Sequence, residues 1–121
     1  MNTTTAILIP CSLGYCLWVQ WPHQRLRAST TIIDPADLRE VVRSLGDPVT
    51  VVLLGRRRAE CVADAVLDVA DLVIVPESWT RRVPKSALTA RAELAARVAA
   101  AHRVATVEHR QRREMQIALP F

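Results

Sequence analysis

The chain has 121 residues, of which 50% are hydrophobic and 23% are charged, and its formal net charge is +4. This length suffices for one domain with a core of its own and is too short for two domains of ordinary size. The surplus of positive charge favours an anionic partner such as nucleic acid, although it does not require one.

The first third of the sequence predicts three short strands joined by tight turns. Thr3–Ile9 is rich in threonine and isoleucine and ends at Pro10, which cannot donate to a sheet ladder. Tyr15–Trp21 is a second strand-like run, and Arg25–Ile33 alternates apolar and polar residues as a third strand does. Three such neighbours indicate an antiparallel meander.

The apolar segment from Ala6 to Trp21 resembles a signal peptide or a membrane span in composition only. No basic region precedes it, and Pro10 and Gly14 interrupt it. We therefore expect a cytoplasmic protein with no membrane partner.

The clearest helix signal begins at Asp34. This residue type is a good N-cap, and Pro35 occupies the first helical position, where proline is tolerated. Apolar residues follow at helical spacing as far as Leu45, and Gly46 and Pro48 end the pattern. The sequence therefore predicts a helix that ends at Leu45.

Strands and helices alternate in the remainder of the chain. Val49–Leu54 predicts a strand buried on both faces, Leu72–Val75 another buried strand and Val104–Glu108 a last strand. Helices are predicted over Arg58–Asp68 and Ser86–His102. The order indicates an α/β fold, a single domain whose N-terminal antiparallel meander is continued by a mostly parallel βαβ region.

The three cysteines, Cys11, Cys16 and Cys61, are odd in number and have no CxxC spacing. A disulfide framework or a zinc site is therefore not indicated, and buried, reduced thiols are the favoured interpretation. A glycine-rich phosphate loop is excluded in a chain with three glycines. We expect no cofactor.

Clusters of basic residues follow three of the predicted strands. If those strands are parallel, the clusters share the carboxyl-terminal edge of the sheet, where open α/β sheets bind ligands. Arginine at a helix N-terminus is unfavourable unless an anion lies there, so these clusters indicate that phosphate or DNA binds at this edge. The alternative is that the arginines form a solvated surface with no ligand. Trp79 precedes the second cluster and either stacks on a nucleobase or covers the core, the favoured interpretation. The clusters are Arg56, Arg57 and Arg58; Arg81, Arg82 and Lys85; and Arg110, Arg112 and Arg113.

Acidic residues stand at the ends of two predicted strands. Glu77 comes just after one strand, and Glu108 ends another. In a parallel sheet both lie at the edge of the crevice, where a pair of carboxylates can hold a divalent metal. A catalytic role for Glu77 is therefore one hypothesis.

The segments around Glu77 resemble the RNase H-like fold of RuvC-type Holliday junction resolvases. The likeness rests on an opening strand that ends in Ile9-Pro10-Cys11-Ser12, two further strands, and a later strand that ends in Val75-Pro76-Glu77. That family has a metal-binding Asp immediately before the proline, where this chain has Ile9, and only Glu77 matches one of its four acids. Val49–Leu54 and the following helix look like an added unit. The resemblance implies an RNase H-like fold and argues against the family's nuclease activity.

The last six residues combine a hydrogen-bonding side chain with an apolar tip. Such a tip, behind a polar run, is typical of a peptide that docks into another protein's pocket. The six residues resemble the hexapeptide with which bacterial replication and repair proteins bind the β sliding clamp of DNA polymerase III. The resemblance implies that the Gln and the Leu-plus-Phe pair fill two neighbouring subsites of the clamp. The hexapeptide is Gln116-Ile117-Ala118-Leu119-Pro120-Phe121, and the clamp contacts are expected at Gln116, Ile117, Leu119, Pro120 and Phe121.

Three functions remain open from the sequence. The first is a non-enzymatic replication or repair accessory protein, in which an α/β domain over residues 1–108 carries a basic stalk and clamp-binding peptide over residues 109–121. The second is an RNase H-like, metal-dependent nuclease that uses Glu77, or a catalytically inactive relative that binds nucleic acid. The third is a nucleotide-binding or purely structural module whose tail is an edge strand packed on the domain.

Overall fold

The structure is a computed structural model that describes residues 3–26, 32–46, 48–84 and 86–101. Within these residues, strands and helices form an α/β arrangement around one sheet. The strands are β1 (Thr4–Cys11), β2 (Gly14–Gln20), β3 (Ile32–Ile33), β4 (Val49–Leu54) and β5 (Asp71–Val75). The helices are α1 (Leu38–Ser44), α2 (Ala59–Val66) and α3 over residues 88–101. Short 3-10 helices cover Pro35–Asp37 and Glu77–Thr80.

The strand order is β3-β2-β1-β4-β5, and the two halves of the sheet differ in strand direction. β1 pairs antiparallel with β2, and β2 pairs antiparallel with β3, which is the predicted meander. β4 runs parallel to both of its neighbours, β1 and β5, which is the predicted βαβ region. The predicted fold class, a single α/β domain with a meander continued by a parallel region, is confirmed.

The central strands β1 and β4 are buried on both faces. Along β1, Ala6 and Leu8 face one side of the sheet, whereas Ile7 and Ile9 face the other. α1 and α2 cover the first side, and α3 covers the second. The contacts of α3 come from its alanine stripe, Ala92, Ala95 and Ala99, which the helical spacing predicts.

The first helix begins as its sequence predicts. The Asp34 Oδ1 atom accepts a hydrogen bond from the backbone N–H of Ala36 at 2.9 Å, which satisfies a donor that the helix start leaves without a partner. Pro35 opens the 3-10 turn that leads into α1. Leu38 and Val42, one helical turn apart, then bury the inner face of α1 against the sheet.

The third strand differs from its prediction. It was expected to run from Arg25 to Ile33, but neither Arg25 nor Leu26 belongs to a strand, and the described pairing with β2 is limited to Ile32 and Ile33. A turn intervenes after β2, where the Gln24 N–H donates to the Trp21 carbonyl oxygen at 3.1 Å. Residues 27–31 of the predicted strand lie outside the described residues.

Two further expectations are corrected by the position of each strand in the sheet. β5 was predicted to be buried, but Ile74 is 39% exposed, because within the described residues β5 pairs on one side only, with β4. Val49–Leu54 was interpreted as an addition to an RNase H-like core. It is β4, the strand between β1 and β5, and its side chains belong to both core clusters.

Candidate functional site

The parallel strands bring three segments of the chain to one edge of the sheet. β1, β4 and β5 run in the same direction, so Cys11, Leu54 and Val75 end at the same edge. We call this surface the carboxyl edge and define it as residues 10–12, 55–58 and 76–82. Open α/β sheets bind ligands at such an edge.

Arginines of two predicted basic clusters lie on the carboxyl edge and are exposed. Two ion pairs occur within the described ranges, and both involve α1: Arg39 with Asp68, and Arg43 with Glu40. The edge arginines therefore have no ion-pair partner among the described acids, and their charge is available to an anionic ligand. These arginines are Arg56, Arg57, Arg58, Arg81 and Arg82.

Arg58 connects β4 to α2 through an uncommon backbone conformation. Its φ angle is 63°, in the left-handed region, which costs about 1–2 kcal/mol for a residue with a side chain. Its guanidinium carbon lies 6.0 Å from the centre of the buried Tyr15 ring, at the limit of a favourable cation-π contact. The contact holds the guanidinium group of Arg58 close to the end of the β1–β2 hairpin.

A small cavity opens between the arginines and the hairpin turn. Its volume is about 170 Å³, and its lining consists of Pro10, Cys11, Ser12, Arg57 and Arg58. Two guanidinium groups and a hydroxyl group are the donors that bind phosphate or carboxylate oxygens. The cavity is therefore suited to a small anionic group.

Glu77 also reaches the carboxyl edge, where it lies against Gly55. A Cβ atom added to Gly55 would be 3.1 Å from both the Cγ and the Oε1 atoms of Glu77. Gly55 has a φ angle of 90°, and its N–H donates to the Val75 carbonyl oxygen at 2.7 Å. The positive φ angle favours glycine here, and a Cβ atom would also require the Glu77 side chain to shift by a few tenths of an ångström.

The predicted metal pair is not brought together in the described part of the chain. Glu108 lies outside it, and Ile9, at the position of the resolvase family's Asp, is 7% exposed within the core. The described residues contain no group of three His, Cys, Asp or Glu side chains that could hold a metal ion. Glu77 is thus the single acid of the resolvase pattern that the described carboxyl edge contains.

Two of the three tryptophans, Trp18 and Trp79, differ in burial. Trp18 is 3% exposed, packs under α3 and donates from Nε1 to the Thr89 Oγ1 atom at 3.3 Å. Trp79 is 50% exposed in the 3-10 turn of the carboxyl edge, beside Arg81. Half of the Trp79 side chain is thus accessible to a ligand, and the other half is covered by the protein.

The three cysteines have free thiols in the structure, and contrary to the prediction they are not all buried. Cys61 is exposed on α2, and Cys11 and Cys16 are half-buried. The register of the hairpin pairs Cys11 with Gly14 and Cys16 with Ile9, so the two half-buried thiols lie on the same face of adjacent strands. The Cys16 thiol donates a hydrogen bond to Cys11, a contact that the sequence analysis missed. The spacing across the Ser12-Leu13 turn was the available signal.

Several predicted site residues lie outside the described residues. They are Lys85, the third basic cluster Arg110, Arg112 and Arg113, and the peptide residues Gln116, Ile117, Leu119, Pro120 and Phe121. None of the helices in the described ranges combines the length and apolar character that crossing a bilayer requires.

Comparisons of the chain with family models, with curated proteins and with solved structures give no match.

Proposed function

We propose that the protein is a replication or repair accessory protein that binds the bacterial β sliding clamp through residues 116–121. The observation that carries the proposal is the hexapeptide itself, which matches the clamp-binding pattern at its Gln, aliphatic, small, Leu, Pro and Phe positions. Leu119 and Phe121 supply the apolar anchors, and Gln116 supplies the hydrogen bond that fixes the direction of the peptide.

A docking peptide of this kind needs a domain that folds without it. The support for this condition is that residues between Ala6 and Ala99 form a core cluster on each face of the sheet. Clamp binding then buries Leu119 and Phe121 in the pocket of the clamp instead of in the protein's own core. The protein either recruits itself to DNA or competes with polymerases for that pocket.

Replacing Gln116, Leu119 and Phe121 together by Ala is expected to weaken clamp binding at least about 30-fold, because anchor side chains each contribute about 2 kcal/mol or more. Isothermal calorimetry of the full chain against a bacterial β clamp measures the effect. The control is Met115→Ala, which removes a neighbouring apolar side chain outside the pattern and should leave the affinity unchanged.

Circular dichroism and the urea midpoint separate this proposal from the structural alternative. The triple variant should keep the spectrum and midpoint of the parent chain. A variant that unfolds would assign the tail to the core of the domain, and a parent chain that gives no heat with the clamp would contradict the proposal.

A second candidate, single-stranded DNA binding at the carboxyl edge, is favoured by one specific observation. Arg57 and Arg58, which have no acidic partner among the described residues, line a cavity with room for a small anion, and Trp79 is half exposed at the same carboxyl edge. Arginines of this kind bind phosphates, and an exposed indole ring stacks on an unpaired base. This candidate corresponds to a catalytically inactive relative of the RNase H-like proteins.

Replacing Arg57 and Arg81 together by Gln is expected to reduce the salt dependence of single-stranded DNA binding, with the slope of log K against log salt falling by about 1.4. Fluorescence anisotropy at several salt concentrations measures the slope. The matched control, Arg39→Gln with Arg43→Gln, removes the same amount of charge from α1 and should leave the slope unchanged. An unchanged slope in the edge variant would exclude this surface, whereas magnesium-dependent cleavage lost in Glu77→Gln would favour the nuclease alternative.

A further inference from the structure

We propose that Cys11 and Cys16 form a reactive dithiol that accepts a disulfide carrying carboxylate groups, such as glutathione disulfide, and closes to an internal disulfide. The proposal is independent of clamp and DNA binding. It rests on the contact of the two thiols across the β1–β2 hairpin and on the arginines beside one of them.

Cys11 and Cys16 are neighbours on one face of the β1–β2 hairpin. Cys11 ends β1 opposite Gly14, and Cys16 lies in β2 opposite Ile9, two residues further along the pairing register, so the two side chains are diagonal neighbours. Their side chains are hydrogen-bonded, with the Cys16 thiol as the donor. Diagonal neighbours stand slightly further apart than a disulfide spans, so closure needs a local shift of the hairpin end, where β1 stops at Cys11.

The surroundings distinguish the two thiols. Cys11 lines the cavity of about 170 Å³ together with Arg57 and Arg58, so a ligand can reach it. Burial raises the pKa of the Cys16 thiol, and the hydrogen bond to Cys11 raises it further. Because Cys11 lines the cavity and Cys16 does not, Cys11 is the thiol that an entering disulfide meets first.

The exchange takes two steps that balance. The Cys11 sulfur, as thiolate, attacks one sulfur of glutathione disulfide, forms a mixed disulfide and releases one glutathione thiolate. Cys16 then loses its proton to water and attacks the Cys11 sulfur, which releases the second glutathione. In total, two protein thiols are oxidised to a disulfide, and one glutathione disulfide is reduced to two glutathione molecules.

The positive charge of the cavity favours the entry of an anionic disulfide. Glutathione disulfide carries carboxylates that Arg57 and Arg58 can bind in the cavity, whereas cystamine is a cationic disulfide that these side chains repel. While the mixed disulfide exists, glutathione occupies the part of the carboxyl edge in which a phosphate group would bind. Arg57 is the better side chain to test, since Arg58 also contacts Tyr15.

The experiment uses the full chain with Cys61→Ser, which removes the third, exposed thiol. Intact-mass spectrometry after incubation with glutathione disulfide should show a transient adduct of one glutathione, followed by a species two hydrogen atoms lighter than the reduced protein. Cys16→Ser should accumulate the adduct, and Cys11→Ser should give neither species. Cys11→Ala and Cys16→Ala, checked by circular dichroism, repeat the test without a hydroxyl group at either site.

Arg57→Gln should lower the ratio of the rates with glutathione disulfide and with cystamine about fivefold. Arg43→Gln, an equal loss of charge on α1, should leave this ratio unchanged. An adduct on Cys11 that never closes, a faster reaction at Cys16, or an equal ratio in Arg57→Gln and the parent would each overturn the proposal.

Discussion

Gly14→Ala is expected to lower the free energy of unfolding by about 4 kcal/mol or more, at the upper end of single substitutions. A Cβ atom at this position would lie 2.0 Å from the carbonyl oxygen of Ile33, and real Cβ atoms do not approach a backbone oxygen so closely. The φ angle of 143° adds strain for any residue with a side chain. The added methyl group therefore has to push β3 away from β2.

Gly46→Ala is the matched control for this prediction. Gly46 also has a positive φ angle, 102°, but a Cβ atom there meets nothing within 4 Å. Gly46→Ala should therefore lower the free energy of unfolding only through the strained backbone conformation, by about 1–2 kcal/mol. Urea denaturation followed by circular dichroism measures both variants, and equal losses of stability would contradict the close approach of β2 and β3 at Gly14.

Leu53→Ala is expected to cost about 3 kcal/mol of unfolding free energy, because it removes a completely buried side chain from β4, an interior strand of the sheet. Leu53 is 0% exposed and lies in the core cluster under α1 and α2. Neighbouring side chains that are held by two helices and two paired strands cannot collapse fully into the space that the substitution leaves.

Leu13→Ala makes the same chemical change at a position that is 71% exposed, in the turn between β1 and β2. We expect it to change the unfolding free energy by less than about 0.5 kcal/mol. Equal urea midpoints for the two leucine variants would contradict the central position of β4. A selective loss in Leu53→Ala would confirm that β4 is an integral part of the sheet.

The parts of the fold that the sequence predicted correctly depend on local patterns. The continuous aliphatic run of β4 indicated a strand buried on both faces, and Asp34 followed by Pro35 indicated the start of a helix. Both signals lie within a few residues of the element that they define. The alanine stripe of α3 is a signal of the same kind, and it forms the predicted buried face.

The missed features depend on contacts between segments that are distant in the sequence. The partial exposure of β5 follows from its place in the strand order, which the residues of β5 do not encode. The Gly14 constraint exists because β3 returns to lie against β2. The left-handed conformation of Arg58 was also missed, because arginine gives no signal for it in the sequence.

In the candidate site, too, local patterns predicted some features, and contacts between distant segments produced the others. The sequence predicted that Arg56–Arg58 and Arg81-Arg82 share one edge, and the parallel pairing of β4 with β5 confirms it. It did not predict that Cys11 would line a cavity with two of these arginines, because that arrangement joins the end of β1 to the start of α2. The role of residues 116–121 stays a prediction that clamp binding tests.

The position of β1 between β2 and β4 has a consequence for how the chain folds during synthesis. β2 follows β1 after a tight turn and can pair with it early, whereas β4 is made only after β3 and α1. Until then, one side of β1 remains an open apolar strand edge, which is a site of association between unfinished chains. We therefore expect nascent copies to be most prone to aggregate until β4 has been made and has paired with β1.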